Sequence, residues 1–271
     1  MKNLRLSRIL VLLPVLFAGL ITTATAQQYS QLWGQSGELW DPQNSRLPDF
    51  SDAGYMNGDV PIPDWPVGVD VTDYGAVPDD DVDDSQAFID AIAACPQNHA
   101  VFVPKGRYVM LQRVEMDRDY IVVRGEDMFE TVLFYPKYIN EAYIQEVGYN
   151  PNSPDRRNTG GLPFFYIPQG THRSIENLSF EFREQTKRGH WEHKGGNAIW
   201  HDGTDSWLRN LYFKNADHAM IVHGTNITGQ NLIFDQFIAR NKIKIEVEGS
   251  AVFHMAVNMS VAHNNFFHNV F

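Results

Sequence analysis

The sequence predicts an all-β fold in which short parallel strands pile up as the coils of a solenoid. Three observations lead there: a turn-and-strand pattern recurs in the C-terminal half, two long excursions interrupt it, and one helical periodicity precedes it. The repeat is the most specific of the three. Gly203-Thr204-Asp205-Ser206-Trp207-Leu208-Arg209-Asn210-Leu211-Tyr212-Phe213 lies over Gly224-Thr225-Asn226-Ile227-Thr228-Gly229-Gln230-Asn231-Leu232-Ile233-Phe234 at an offset of 21, with Gly, Thr, Asn, Leu and Phe in register. Gly170-Thr171 and Asn177-Leu178-Ser179-Phe180 fit the same template at an offset of 33, and Gly249-Ser250, Val257 and Met259 at an offset of 25. Such self-similarity marks a stack in which each coil buries its apolar face against its neighbours.

Parallel strands sit about 4.8 Å apart, so matched positions form columns. Leu178, Leu211, Leu232 and Val257 are expected in one interior column, and Phe180, Phe213, Phe234 and Met259 in another. Side-chain alternation turns Ser179, Tyr212, Ile233 and Asn258 outward. Asn177, Asn210 and Asn231 form an amide ladder at a bend, where stacked amides satisfy one another.

The chain opens with Lys2, Arg5 and Arg8, an apolar run from Ile9 to Ile21, and Ala24-Thr25-Ala26 before Gln27. Basic, apolar and small-residue regions in that order read as a secretory signal cleaved after Ala26, and the run is shorter than the roughly 20 residues a membrane span needs. The expected product is secreted or periplasmic. Residues 27–68, rich in Trp, Asp, Gly and Pro, read as an extended arm packed against the body, with a sugar-stacking strip as the rival reading; residues 69–271 read as one β-helix domain. Losing the signal removes three positive charges and no acidic one, taking the net charge from −11 to −14. That surface repels nucleic acid and anionic membrane, and an acidic glycan would need a local basic patch or a bridging Ca²⁺. Cys95 has no partner for an internal disulfide and reads as a small buried apolar residue.

Asp83 or Asp84 is expected to cap a helix whose apolar face is Phe88, Ile89, Ile92 and Cys95, ended by Pro96. Ala100 to Val109 then reads as strand, tight turn and strand. The succession Asp73-Tyr74-Gly75-Ala76, an Asp-rich turn, the helix, and Val101-Phe102-Val103-Pro104-Lys105-Gly106-Arg107-Tyr108 resembles the opening of the rhamnogalacturonase/epimerase-like pectate lyase domain. Val122-Val123-Arg124-Gly125-Glu126 with Thr131-Val132-Leu133 is similar to the next segment of that family's domain. The resemblance spans roughly residues 69 to 135. It implies a right-handed parallel β-helix whose N-terminal mouth is covered by the helix, and it leaves the reaction open, because the superfamily holds lyases, hydrolases, epimerases and phage tailspikes.

Elimination at a uronic acid needs a base near the C5 proton and a cation on the carboxylate, whereas hydrolysis needs two carboxylates. The candidates for elimination are His201, Arg209, His218, His223, Arg240 and Lys242. Among them His223 stands one coil above Asp202 at the offset of 21, where a carboxylate would orient the imidazole. The excursions, about 138–169 and 184–195, are where function tends to sit on a rigid scaffold. The second offers His190 as a further catalytic candidate, Trp191 and His193 against a sugar, and Lys187 and Arg188 against its carboxylate. Asp202, Asp205 and Asp235 are the acids available for hydrolysis. Asp79-Asp80-Asp81 and Asp83-Asp84 carry oxygens for Ca²⁺ but lack calcium-loop spacing, and His218, His223, His254, His263 and His268 lack metal-ligand spacing.

The apolar C-terminal stretch Asn264 to Phe271 resembles the middle of a coil, which predicts that the β-helix continues beyond it. The expected protein is a monomeric, secreted carbohydrate-active enzyme acting by β-elimination on an extracellular acidic polysaccharide. A polygalacturonase-type hydrolase and a non-catalytic adhesive solenoid are the alternatives.

Overall fold

The computed structural model describes residues 31–35, 37–41, 43–44, 53–137, 163–183, 197–216, 218–235, 257–258 and 266–270. The expected signal segment lies outside them. The chain divides into two compact units, residues 1–49 and 50–271, a boundary inside the expected arm. In the first, the rings of Trp33 and Trp40 lie 6.3 Å apart and Asp41 accepts from the Gln43 N–H at 2.9 Å.

Among the described residues of the second unit every strand pairing is parallel. One nine-stranded sheet orders β1 (Val67–Asp70), β2 (His99–Val103), β5 (Ile121–Gly125), β8 (Arg173–Phe182), β10 (Thr204–Lys214), β12 (Thr225–Asp235) and β14 (Phe266–Val270), with β3 (Gly106–Val109) and β6 (Thr131–Tyr135) alongside. A five-stranded sheet orders β4 (Val114–Glu115), β7 (Phe165–Ile167), β9 (Asn197–His201), β11 (His218–Val222) and β13 (Val257–Asn258). The chain visits the two sheets in turn, so each round trip is one coil. The N-terminal half of β8 pairs with β5 and its C-terminal half with β6, so a long later strand covers two short earlier ones.

The repeat is in register as expected. Leu211 lies opposite both Leu178 and Leu232, and all three are fully buried. The rings of Phe180, Phe213 and Phe234 stack at 5.3 Å per step. Asn210 donates to Asn177 Oδ1 at 2.7 Å and Asn231 to Asn210 Oδ1 at 2.9 Å. All three asparagines have positive φ, 57°, 53° and 51°, a conformation that Asn tolerates better than most side chains. The ladder is therefore also the bend. A second left-handed column, which the repeat shows only at Asp205 and Asn226, comprises Asn98, Tyr120, His172, Asp205 and Asn226, each just ahead of paired residues of the nine-stranded sheet. Leu211→Ala should cost about 2–5 kcal/mol of stability, since the neighbouring coils cannot collapse into the void. Urea unfolding checks this, and a loss below about 0.5 kcal/mol would be incompatible with the column.

One expectation about the columns fails. Val257 pairs with Met220 in the five-stranded sheet, Asn258 pairs with Ile221, and the neighbour of Leu232 in the next coil is Val270. Both strands of a coil alternate apolar and polar residues, so an offset alone does not say which sheet a weak match enters. Met259 lies outside the described residues. Ser179 pairs with Tyr212 as expected, and it is covered, its hydroxyl donating to the Thr131 carbonyl at 3.3 Å where β6 joins β8.

α1 (Ser85–Ala94) buries Phe88, Ala91, Ile92 and the adjoining Cys95 in the core, with Ile89 partly buried. Its start is held by Asp83, one of the two expected caps. The Asp84 carboxylate accepts from the N–H groups of Val77 and Val109 at 2.8 and 2.9 Å, and Asp83 accepts from those of Ser85 and Leu111, both at 3.1 Å. Asp83 thus serves the helix's first turn through Ser85, while donors from the neighbouring loop and strand take the Asp84 oxygens.

Residues 55–65 lie on the outer face of the nine-stranded sheet, where Tyr55, Ile62 and Trp65 pack with Ala100, Val122 and Trp207. Beneath them the Glu176 carboxylate, 1 % exposed, accepts from Trp207 Nε1 at 2.7 Å and from Arg124 Nε and Arg209 Nε at 2.5 Å each.

Candidate functional site

In the five-stranded sheet Val114, Phe165, Ile199 and Met220 form one buried row across four coils. Alternation turns the next row, Glu115, Tyr166, Trp200 and Ile221, outward. Two aromatic side chains thereby stand on adjacent coils. β9 is followed by Asp202 and β11 by His223, and the pairing of His201 with Val222 sets one above the other.

The Asp202 carboxylate is the centre of the group. Oδ1 accepts from Trp200 Nε1 at 2.6 Å and lies 3.3 Å from His223 Nδ1, while Oδ2 accepts from the Tyr166 hydroxyl at 3.1 Å. The Trp200 and His223 rings meet edge to face at 5.0 Å. Arg113, its guanidinium 5.7 Å from the Tyr166 ring centre and 3.4 Å from Glu115, completes a cavity of about 230 Å³ with Pro163, Tyr166, Trp200 and Asp202. Burial, and then the Asp202 charge, push the Tyr166 hydroxyl above the ordinary phenol range, so it remains a donor at neutral pH.

His201 lies beneath, fully buried. Its Nδ1 accepts from the Gly203 N–H at 3.1 Å and its Nε2 faces the Arg173 carbonyl at 3.0 Å. A carbonyl can only accept and an amide N–H only donate, so the ring is neutral with its proton on Nε2. Burial pushes its pKa down from 6.5 to about 4. The unfolded chain binds this proton more readily than the folded one. The resulting stability is therefore complete above pH 6.5 and falls as the pH drops from there towards about 4. Melting temperature followed across that window should show the loss, and a His201→Asn variant should show a shallower slope.

The structure thus brings Asp202 and His223 together and places Arg209 elsewhere. Opposite Glu176 in the nine-stranded sheet, Arg209 is held by that carboxylate and does not serve the pair, because the register of β8 and β10 sets the two side by side. His190, Trp191, His193, Lys187 and Arg188 lie outside the described residues, as do Arg240 and Lys242. The three acids considered for hydrolysis do not meet. Asp205 accepts from Asn226 at the start of the strands, Asp235 accepts from Tyr212 at their end, and Asp202 belongs to the other sheet. In the acidic run, Asp79 accepts from the Arg107 N–H and Asp81 from its guanidinium. Among the described residues no three His, Cys, Asp or Glu side chains converge as a metal site would.

Sequence reasoning missed Arg113 and Trp200, and reached Tyr166 only as one aromatic of the excursion at about 138–169. Trp200 had a signal, since it lies two residues before Asp202 on a strand and so shares its face. Tyr166 pairs with Trp200 at an offset of 34, one off the 33 that relates Thr171 to Thr204, so the repeat does not reveal it. Arg113 had none.

Residues 68–168 match the model of a family described as rhamnogalacturonase A/epimerase, pectate lyase-like. Over this stretch the chain is similar to the pectate lyase-like superfamily. The segment matching this pectate lyase-like family starts within β1 and ends just past β7, so it includes Arg113 and Tyr166 and stops before Trp200, Asp202 and His223. No curated protein matches the chain. Among solved structures, PfbA, a surface adhesin of Streptococcus pneumoniae, is similar at 16% identity with a TM-score of 0.52, over 75% of this chain and 48% of that one. A second PfbA structure gives 17% and 0.48, over 74% and 52%. An iota-carrageenase complexed to iota-carrageenan fragments gives 15% and 0.41, over 83% and 44%. At such identities the likeness to PfbA is one of fold. The chain spans about half of PfbA's length.

Proposed function

We propose that this is a secreted, monomeric carbohydrate-active enzyme whose site is the outward row of the five-stranded sheet, and that it cleaves an extracellular acidic polysaccharide by β-elimination. The observation that carries the reading is the contact of His223 Nδ1 with Asp202 across adjacent coils, beside two aromatic side chains and a guanidinium. A carboxylate on the Nδ1 side orients the ring and leaves Nε2 as the nitrogen that takes the C5 proton. Arg113, in place of Arg209, supplies the positive charge that a uronate carboxylate requires, in a chain whose net charge is −11. Trp200 and Tyr166 provide apolar flanks against which sugar faces pack. The reading includes a coil wound right-handed, the hand that parallel crossovers take, with α1 over its first turn.

A glycan-binding protein without chemistry is the second reading, favoured by the same aromatic row. The full chain, incubated with polygalacturonate and with alginate, should develop the ultraviolet absorbance of an unsaturated uronate. New reducing ends without that absorbance would replace elimination by hydrolysis. Binding without cleavage would establish the second reading, and neither binding nor cleavage of any acidic glycan would overturn both.

A further inference from the structure

The Asp202 and His223 side chains come from different coils, so something must hold those coils in register at this point. The His201 peptide does so directly. Its carbonyl accepts from the N–H groups of His223 at 2.9 Å and Gly224 at 3.1 Å, and the residue bonded to it is Asp202, whose own N–H donates to Ile167 at 2.8 Å. The His201 side chain then closes the turn from beneath: Nδ1 takes the Gly203 N–H, and Nε2–H reaches across to Arg173 in β8. Arg173 is itself fixed to Asp119 at 2.8 Å and to the carbonyls of Met116 and Pro168 at 3.2 and 3.3 Å. A histidine here, rather than an apolar residue of similar volume, offers an acceptor and a donor on opposite sides of one rigid ring.

We propose that His201 is the positioning residue of the Asp202–His223 pair, acting through the turn that its Nδ1 holds. This rests on reading the pair as the acid–base element, but its geometric part is measurable without turnover. No polar atom of His201 faces the cavity, so its role passes through Asp202 and His223 alone. The two halves of the ring separate by substitution. In His201→Asn the side-chain oxygen can stand where Nδ1 stands and keep the Gly203 N–H, while the link to Arg173 is lost. In His201→Gln the side chain reaches Arg173 and the Gly203 N–H loses its acceptor.

The test compares the two variants by nitrogen NMR of the His223 ring, by melting temperature, and by kcat and KM on polygalacturonate. Both variants should melt earlier than the parent. The Asn variant should keep the His223 signals and titration of the parent, whereas the Gln variant should shift both and lose about a hundredfold in kcat with little change in KM, the scale expected for a small misplacement of reacting groups. Indistinguishable His223 spectra in the two variants, whether both parental or both altered, would overturn the proposal. Should either variant fail to fold, Gly203→Ala reports on the same turn: an added Cβ would sit 3.1 Å from both His201 Cε1 and the Gly170 carbonyl, and an unmoved His223 spectrum would again overturn it. The spectra are read without substrate. A Gln-specific shift in a chain that turns nothing over would leave the positioning role standing and defeat the proposed elimination alone.

Discussion

Replacing His223 with alanine should lower the rate of uronate release by about 10²–10⁴-fold, the range supplied by a positioned general base, with only a small change in melting temperature. The stability side of this expectation follows from exposure. His223 and Asp202 are 30% and 22% exposed, and a partly solvated contact of this kind contributes about 0–1 kcal/mol. Asp202→Asn should fall between the parent and the alanine variant in rate, because an amide keeps partners for Trp200 Nε1 and Tyr166 but presents no charge to the imidazole. A His223→Ala protein that cleaves within about threefold of the parent would remove His223 from the chemistry, since a base worth less than that is no base.

The largest effect on stability should come from Glu176→Ala. That carboxylate sits 1% exposed between two guanidinium groups and the Trp207 indole, all within 2.7 Å. Deleting it leaves Arg209 without its carboxylate and Arg124 with the exposed Asp64 and the Trp65 carbonyl alone, and removing one partner from a buried charged network costs about 3–5 kcal/mol. Glu176→Gln keeps the shape and some of the hydrogen bonds and should cost less. Denaturant midpoints measure both, and a Glu176→Ala loss below about 1 kcal/mol would show that water replaces the missing oxygens. Because Glu176 lies in the nine-stranded sheet and the candidate site in the five-stranded one, the folded fraction of either variant should retain parental turnover, in contrast to the His223 variant.

By itself the sequence determined the stack. Leu178, Leu211 and Leu232, Phe180, Phe213 and Phe234, and the three asparagines can recur at offsets of 33 and 21 because parallel in-register strands place like side chains against like, and the pairing reproduces those columns. The same offset of 21 brought His223 over Asp202. Tertiary structure alone decided what surrounds that pair. Arg113, Tyr166 and Trp200 come from coils of unequal length, and how far each loop advances before the next strand joins the sheet is set by packing of the whole stack. It also decided the fate of Arg209, Asp84 and Val257, for a related reason. Alternation along a strand says which face a side chain takes, but which sheet receives the strand, and which charge or open N–H waits opposite, depends on neighbours that are distant in the chain.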